Sequence, residues 1–238
     1  MTVGPVQLGG HLTLPEDAIG VVVFAHGSGS SRHSPRNRYV ATVLNEEGLA
    51  TLLFDLLTLE ESADRQRVFD IELLGSRLLA VTAWIRRQPD VAALPCGYFG
   101  ASTGAAAALW AAASPGNDVG AVVSRGGRPD LASAKLPAVR CPTLLIVGGA
   151  DDAVLELNRE AASRLRCYHR LTIVPGATHL FEEPGALDAV ARLAISWFAD
   201  HLAMPCPGES HMCPRTHPAG ASGGTKAGES RITEIADA

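Results

Sequence analysis

No excess of basic residues marks this 238-residue chain: 20 Lys and Arg stand against 25 Asp and Glu, for a net charge of -5. That balance excludes a protein built mainly to grip a nucleic-acid backbone, which needs a basic face or stripe. No apolar run approaches the roughly 20 residues of a membrane span. Residues Met1 to Gly10 lack the charged start and apolar core of a secretory leader, so export by that route is not expected. The 5 cysteines, Cys96, Cys141, Cys167, Cys206 and Cys213, are odd in number and irregularly spaced. They read as reduced thiols in a cytoplasm rather than as a disulfide framework. No internal repeat of about 20–50 residues is present.

What is present suits one sizeable core, since 47% of residues are hydrophobic. Composition breaks once. From Met204 to Ala238 the large aliphatic residues are Ile232 and Ile235, aromatics are absent, and Pro, Gly, Ser and Thr dominate. Such a segment buries too little apolar surface to offset its ordering entropy. The expected organisation is therefore a single α/β domain over residues 1–203 and a flexible low-complexity tail over 204–238.

Within the domain, short all-apolar runs alternate with amphipathic stretches. Val21–Ala25, Thr51–Phe54, Gly97–Phe99, Ala121–Val123, Leu144–Val147 and Leu171–Val174 read as strands, most of them buried on both faces. Helical patterns cover Arg36–Glu47, Val68–Arg87, Ser102–Ala113, Leu155–Arg166 and Pro184–Leu202. This alternation predicts a mostly parallel sheet with helices on both faces. Val6–Leu8 and His11–Leu14 flank Gly9-Gly10, a hairpin signal that predicts an antiparallel pair at the start. Ligands of open parallel sheets sit at the carboxyl ends of the strands, so chemistry is sought in the loops there.

Three such loops hold reactive groups. Gly100-Ala101-Ser102-Thr103-Gly104 is a G-x-S-x-G turn between a strand and an Ala-rich helix, the setting in which a serine becomes a nucleophile. The plainer reading of Ser102 is a helix cap. A second serine in a Gly-rich run, Ser222, has neither strand nor helix beside it. Asp151 and Asp152 follow the strand ending at Val147. Either suits a carboxylate that orients a histidine, or a helix N-cap. His179 follows the strand Leu171–Val174, where a general base belongs, although loops carry many ordinary histidines. The chain order Ser, Asp, His differs from the orders of chymotrypsin and subtilisin.

The segments FAHGSGSSRHSPRN (24–37), GYFGASTGAAAAL (97–109), LLIVGGADDAV (144–154) and GATHLFEEPGAL (176–187) resemble the α/β-hydrolase superfamily, in its dienelactone-hydrolase-like branch of small single-domain hydrolases. The resemblance covers about residues 3–203 and implies Ser102 as nucleophile, His179 as base and Asp151 as acid. Asp151 is preferred to Asp152 because the branch places its acid in a G-x-x-D-x-x-V turn, met by Gly148, Asp151 and Val154. Dienelactone hydrolases proper carry a cysteine nucleophile where this chain has Ser102. Similar modules occur fused to phosphoribosyltransferase domains, and none is expected here.

The Thr103 N–H, just after the nucleophile, is one expected oxyanion donor. By the resemblance, the second is the Ser28 N–H, after the His26-Gly27 pair. His26 reads as a structural brace. Only about twenty residues separate Ala121–Val123 from Leu144–Val147, too few for a helical lid, so an open site is expected. The same loops are basic, with Arg32, His33, Arg36 and Arg38 after one strand and Arg125 and Arg128 after another. Arg32, Arg36, Arg125 and Arg128 are candidates to bind an anionic substrate group; salt bridging is the alternative. Cys206, His211, Cys213 and His217 match no common zinc spacing, and no metal or cofactor is expected. The sequence thus predicts a cytoplasmic serine hydrolase of small esters, lactones or thioesters, monomeric or homodimeric, with neither nucleic acid nor membrane as partner. Acyl transfer to an alcohol or peroxide by the same residues, or a non-catalytic binding role for the fold, are the alternatives.

Overall fold

In a computed structural model, residues 1–202 and 230–235 are described. The main sheet has eight strands. In chain order they are β3 (Gly10–Leu14), β4 (Gly20–Ala25), β5 (Leu49–Phe54), β6 (Cys96–Ala101), β7 (Ala121–Arg125), β8 (Thr143–Gly148), β9 (His169–Val174) and β10 (Arg231–Ile235). Their spatial order is β10-β3-β5-β4-β6-β7-β8-β9. From β5 to β9 every pairing is parallel, while β3 runs antiparallel to β5 and β10 antiparallel to β3. Every residue of β4, β5, β6, β7 and β8 is buried. That is why these strands read as unbroken apolar runs rather than alternating ones.

Helices cover both faces. On one side α1 (Pro35–Glu46) and α7 (Ala186–Leu202) pack over Val22, Phe24, Phe99, Val123 and Ile146. On the other lie α4 (Ile71–Ile85), α5 (Thr103–Ala112) and α6 (Asp152–Arg164), packed over Val21, Val23, Tyr98, Val122 and Leu145. Helix α5 is apolar on every side, and nine of its ten residues are buried. Its small alanines let it lie against the sheet while α4 covers it.

Three expectations change. Gly9-Gly10 is no hairpin turn. Instead β1 (Thr2–Val3) and β2 (Val6–Gln7) form their own antiparallel pair across Gly4-Pro5, with Gly4 at φ +58°. Strand β3 then pairs with β5, not with β2. The helix read as Val68–Arg87 is two elements, α3 (Arg65–Val68) and α4, because the Asp70 carboxylate accepts the Leu73 N–H and caps a fresh helix start. A short helix, α2 (Leu59–Ser62), precedes them, closed by a capping box between Thr58 and Glu61. The tail is not structureless throughout: Arg231–Ile235 adds strand β10, held by backbone pairing from Arg231↔Leu14 to Ile235↔Gly10 and by an Arg231–Asp90 ion pair. Cys206, His211, Cys213, His217 and Ser222 lie outside the described residues.

Between β7 and β8 stand two single-turn 3-10 helices, Pro129–Ala132 and Leu136–Ala138, and no lid. No helix among the described residues is long and apolar enough to cross a membrane.

The sheet order places a topological switch at β4. Its next strand in sequence, β5, lies on one side and β6 on the other. The loops leaving β4 and β6 therefore diverge to opposite faces and open a crevice at their carboxyl ends. Those loops carry Ser28 and Ser102.

Candidate active site

Ser102 follows β6 directly and occupies φ +52°, ψ -119°, a region that a residue with a side chain enters only under strain. Close packing on either side holds it there. A Cβ on Gly100 would fall 2.4 Å from the Ala105 Cα, and one on Gly104 would fall 2.1 Å from the Ala25 carbonyl oxygen. The turn can be this sharp only because both positions are glycine. Ser102 stands at the N-cap position of α5, yet its side chain makes no capping bond. The capping reading is thus set aside, and the hydroxyl has no hydrogen-bond partner among the described residues. Backbone bonds lock its main chain to the next loop: Ser102 N–H donates to Arg125 O at 3.2 Å, and Arg128 N–H to Ser102 O at 3.1 Å.

Asp151 and His179 meet. His179 Nδ1 lies 2.7 Å from Asp151 Oδ2. Asp151 begins α6 but spends no side-chain bond on capping it, whereas exposed Asp152 lies inside the first turn. Of the two aspartates, Asp151 is the one in contact with the histidine. This pairing leaves Nε2 as the ring nitrogen able to accept a proton. A Cβ on Gly126 would lie 3.2 Å from His179 O and 3.5 Å from its Nδ1. Ser102 and His179 thus flank the Arg125–Gly126 peptide. The His179 loop has its own strained residue, which the sequence did not reveal. Buried Phe181 adopts φ +56° and packs against Gly126.

Residues 8–200 match the dienelactone hydrolase family. The chain belongs to the dienelactone hydrolase family. A solved dienelactone hydrolase from Anabaena variabilis is 59% identical, with a TM-score of 0.81 over 84% of this chain and 95% of that one. The solved Est1E from Butyrivibrio proteoclasticus shares the fold at 16% identity, with a TM-score of 0.74 over 86% of this chain and 98% of that one. Curated relatives from two strains of Mycobacterium tuberculosis are 66% identical over 204 residues and carry the provisional name phosphoribosyl transferase. The match takes in 86% of this chain and 46% of theirs, so the chain spans about half the length of those relatives. Fold and family together give this chain the α/β-hydrolase fold.

The remaining predicted site residues are placed less simply. Ser28 N–H, expected to face an oxyanion, donates to Thr103 Oγ1 at 2.7 Å. Three of the four candidate arginines are committed to carboxylates. Arg32 pairs with Asp55, Arg36 with Glu182 at 3.0 Å, and Arg128 grips Asp130 through two bonds of 2.9 and 2.8 Å. The salt-bridge alternative holds for these three. Arg125 differs. It is 5% exposed, donates to Asn37 Oδ1 at 3.2 Å, lies 5.7 Å over the Phe181 ring, and has no carboxylate partner among the described residues. Its Nε is buried without a partner among the described residues. Burial, with Arg36 nearby, pushes its pKa down to about 10, so it stays charged at neutral pH. A groove of about 1450 Å³ lies elsewhere, between β3, β10 and α1, and Ser102, Asp151 and His179 do not line it.

His26 braces the loop after β4, as expected. Its Nδ1–H donates to Gly27 O and its Nε2 accepts the Leu56 N–H, both at 3.0 Å, so the ring must be neutral. Burial holds its pKa below 6.5, outweighing the opposing pull of Gly27 O and Asp55. The unfolded chain takes up this proton near pH 6.5 and the folded one only lower. Stability from this group is therefore complete above that pH and is lost as pH falls below it. Melting temperature should drop between pH 7.5 and 5. The drop should be shallower in His26→Gln, whose melting point at pH 7.5 is already reduced. Parallel slopes in the two proteins would refute the assignment.

Proposed function

We propose that this α/β hydrolase cleaves carboxylic esters, small lactones or thioesters through an acyl-enzyme on Ser102. The observation that carries this reading is the Asp151–His179 pair at 2.7 Å, set across one peptide from a strained serine whose hydroxyl caps nothing. His179 Nε2 takes the Ser102 proton as Oγ attacks the carbonyl carbon, then gives it to the departing alcohol or thiol. Asp151 keeps the Nδ1 proton in place and steadies the imidazolium. Water repeats the cycle to release the acid. The transferase name of the longer relatives attaches to chains about twice this length, and nothing in this triad calls for that chemistry. Labelling with a fluorophosphonate probe, together with turnover of p-nitrophenyl esters of varied chain length, tests the reading. A protein that neither labels nor turns over any of them does not have this activity.

Within this reading, Arg125 favours a substrate carrying a second, free carboxylate. A charge-assisted pair of this kind contributes roughly 1.5–3 kcal/mol, or about 10- to 150-fold in kcat/KM. A monoester with a free carboxylate should therefore outperform its neutral analogue. Arg125→Met should bring the ratio of the two rates close to one. Arg128→Met should leave that ratio as it is, because Asp130 already holds Arg128. A wild-type enzyme that prefers the neutral ester would show Arg125 to be a brace for Phe181 and no more.

A further inference from the structure

We propose that the Thr103 hydroxyl is itself an oxyanion donor, and that the Ser28 N–H acts on the reaction only by holding that hydroxyl. The inference rests on the serine-esterase reading above. Four observations lead to it. Thr103 directly follows the strained Ser102 and opens α5. Its hydroxyl oxygen accepts the Ser28 N–H at 2.7 Å across 75 residues of sequence, so the Ser28 proton is already used. Thr103 is 2% exposed while Ser28 is exposed, so the contact is part-buried. Finally, the hydroxyl proton finds no acceptor among the described residues.

A hydroxyl has one proton to give and two lone pairs to receive with. Accepting from Ser28 fixes where the oxygen sits and leaves its proton a choice of the two remaining directions. Accepting also polarises the O–H bond, which strengthens it as a donor. Thr103 then offers two donors from one residue. Its N–H has no acceptor within the helix, because the first turn of any helix lacks one. Its hydroxyl lies only three bonds from that nitrogen. As Ser102 Oγ bonds to the carbonyl carbon, the π pair of the carbonyl moves onto oxygen. That oxygen takes hydrogen bonds from both Thr103 groups without receiving a proton. When the intermediate collapses, the pair returns and the leaving-group bond breaks. Ser28 becomes a positioning residue in this scheme.

The competing arrangement has the Thr103 hydroxyl rotate away and the Ser28 N–H bind the oxyanion directly. The two differ in the sign of one experiment. Thr103→Val keeps the shape and the N–H, deletes the hydroxyl, and releases the Ser28 N–H. If the hydroxyl is a donor, kcat for p-nitrophenyl acetate falls by about 10²- to 10³-fold, the usual loss for one oxyanion donor, while KM moves only a few-fold. Thr103→Ser, which keeps a hydroxyl, should restore kcat to within about tenfold of wild type. If Thr103→Val matches or exceeds wild type, or if Thr103→Ser is as impaired as Thr103→Val, the hydroxyl is not a donor. Melting curves of each variant, with Thr103→Ala as a smaller replacement should Val disturb α5, separate loss of fold from loss of chemistry. Absence of labelling and turnover in wild type would instead sink the esterase reading.

Discussion

Ser102→Ala should eliminate labelling by a fluorophosphonate probe and lower ester turnover by roughly 10⁴-fold or more, with the melting temperature nearly unchanged. The size follows from what is removed. Without Oγ no acyl-enzyme forms, and only general binding and oxyanion stabilisation remain. The stability expectation follows from the side chain's lack of structural work. It caps no helix and makes no hydrogen bond among the described residues, and alanine retains the Cβ already accommodated at φ +52°. Ser222→Ala serves as the control and should alter neither quantity. Labelling that persists in Ser102→Ala would place the nucleophile elsewhere and dissolve the triad assignment.

A second large effect is expected from a single methyl group. Gly104→Ala puts a Cβ 2.1 Å from the Ala25 carbonyl oxygen and 2.4 Å from that of His26, both backbone atoms that cannot swing aside. To relieve the clash α5 must withdraw from β4, carrying Ser102 and Thr103 with it. Overpacking of an ordinary core costs about 1–3 kcal/mol, and a backbone clash at this distance belongs at or above the upper end. For a domain of this size about 3 kcal/mol corresponds to roughly 6–12 °C in Tm. Gly29→Ala is the useful contrast. Gly29 sits at φ +68° with nothing within 4 Å of the would-be Cβ, so only the conformational penalty of roughly 1–2 kcal/mol applies. Calorimetry that ranks the two variants equally would mean that the close approach of α5 to β4 does not support the turn.

Much of this architecture was legible because of how it is buried. Strands β4 to β8 are covered on both faces, so their sequences are pure apolar runs with little competing interpretation. Ser102 and Asp151 stood out as candidates because each follows such a run, and His179 because it follows the less apolar β9; the structure puts Asp151 and His179 in contact. The local signal failed where partners come from afar. Nothing near Arg32, Arg36 or Arg128 says that Asp55, Glu182 and Asp130 hold them, except that Asp130 lies two residues from Arg128 and could have been suspected. The Ser28–Thr103 bond joins the loops of two different strands and has no footprint in either. Phe181 looked like an ordinary apolar residue, since strain in φ is invisible in residue type unless the residue is glycine. Strand β10 was missed for a thermodynamic reason. Four of its five residues are exposed, so it is held by backbone pairing to β3 and carries almost none of the hydrophobicity by which strands are recognised.

Helix α5 has a further consequence. Its ten residues carry no charge, and their peptide dipoles all point the same way, toward the turn that holds Ser102. Aligned peptides of this kind place roughly half a positive charge at the helix start. On the surface water and salt would screen that field. Here the helix is sheathed by the sheet and α4, so little high-dielectric solvent intervenes. Any anion that forms beside Ser102 meets this field already oriented, with no dipole left to turn when the charge appears. A run of alanines that looks chemically inert thus works as an electrostatic part of the site, and its contribution depends on keeping the helix dry, uncharged and straight.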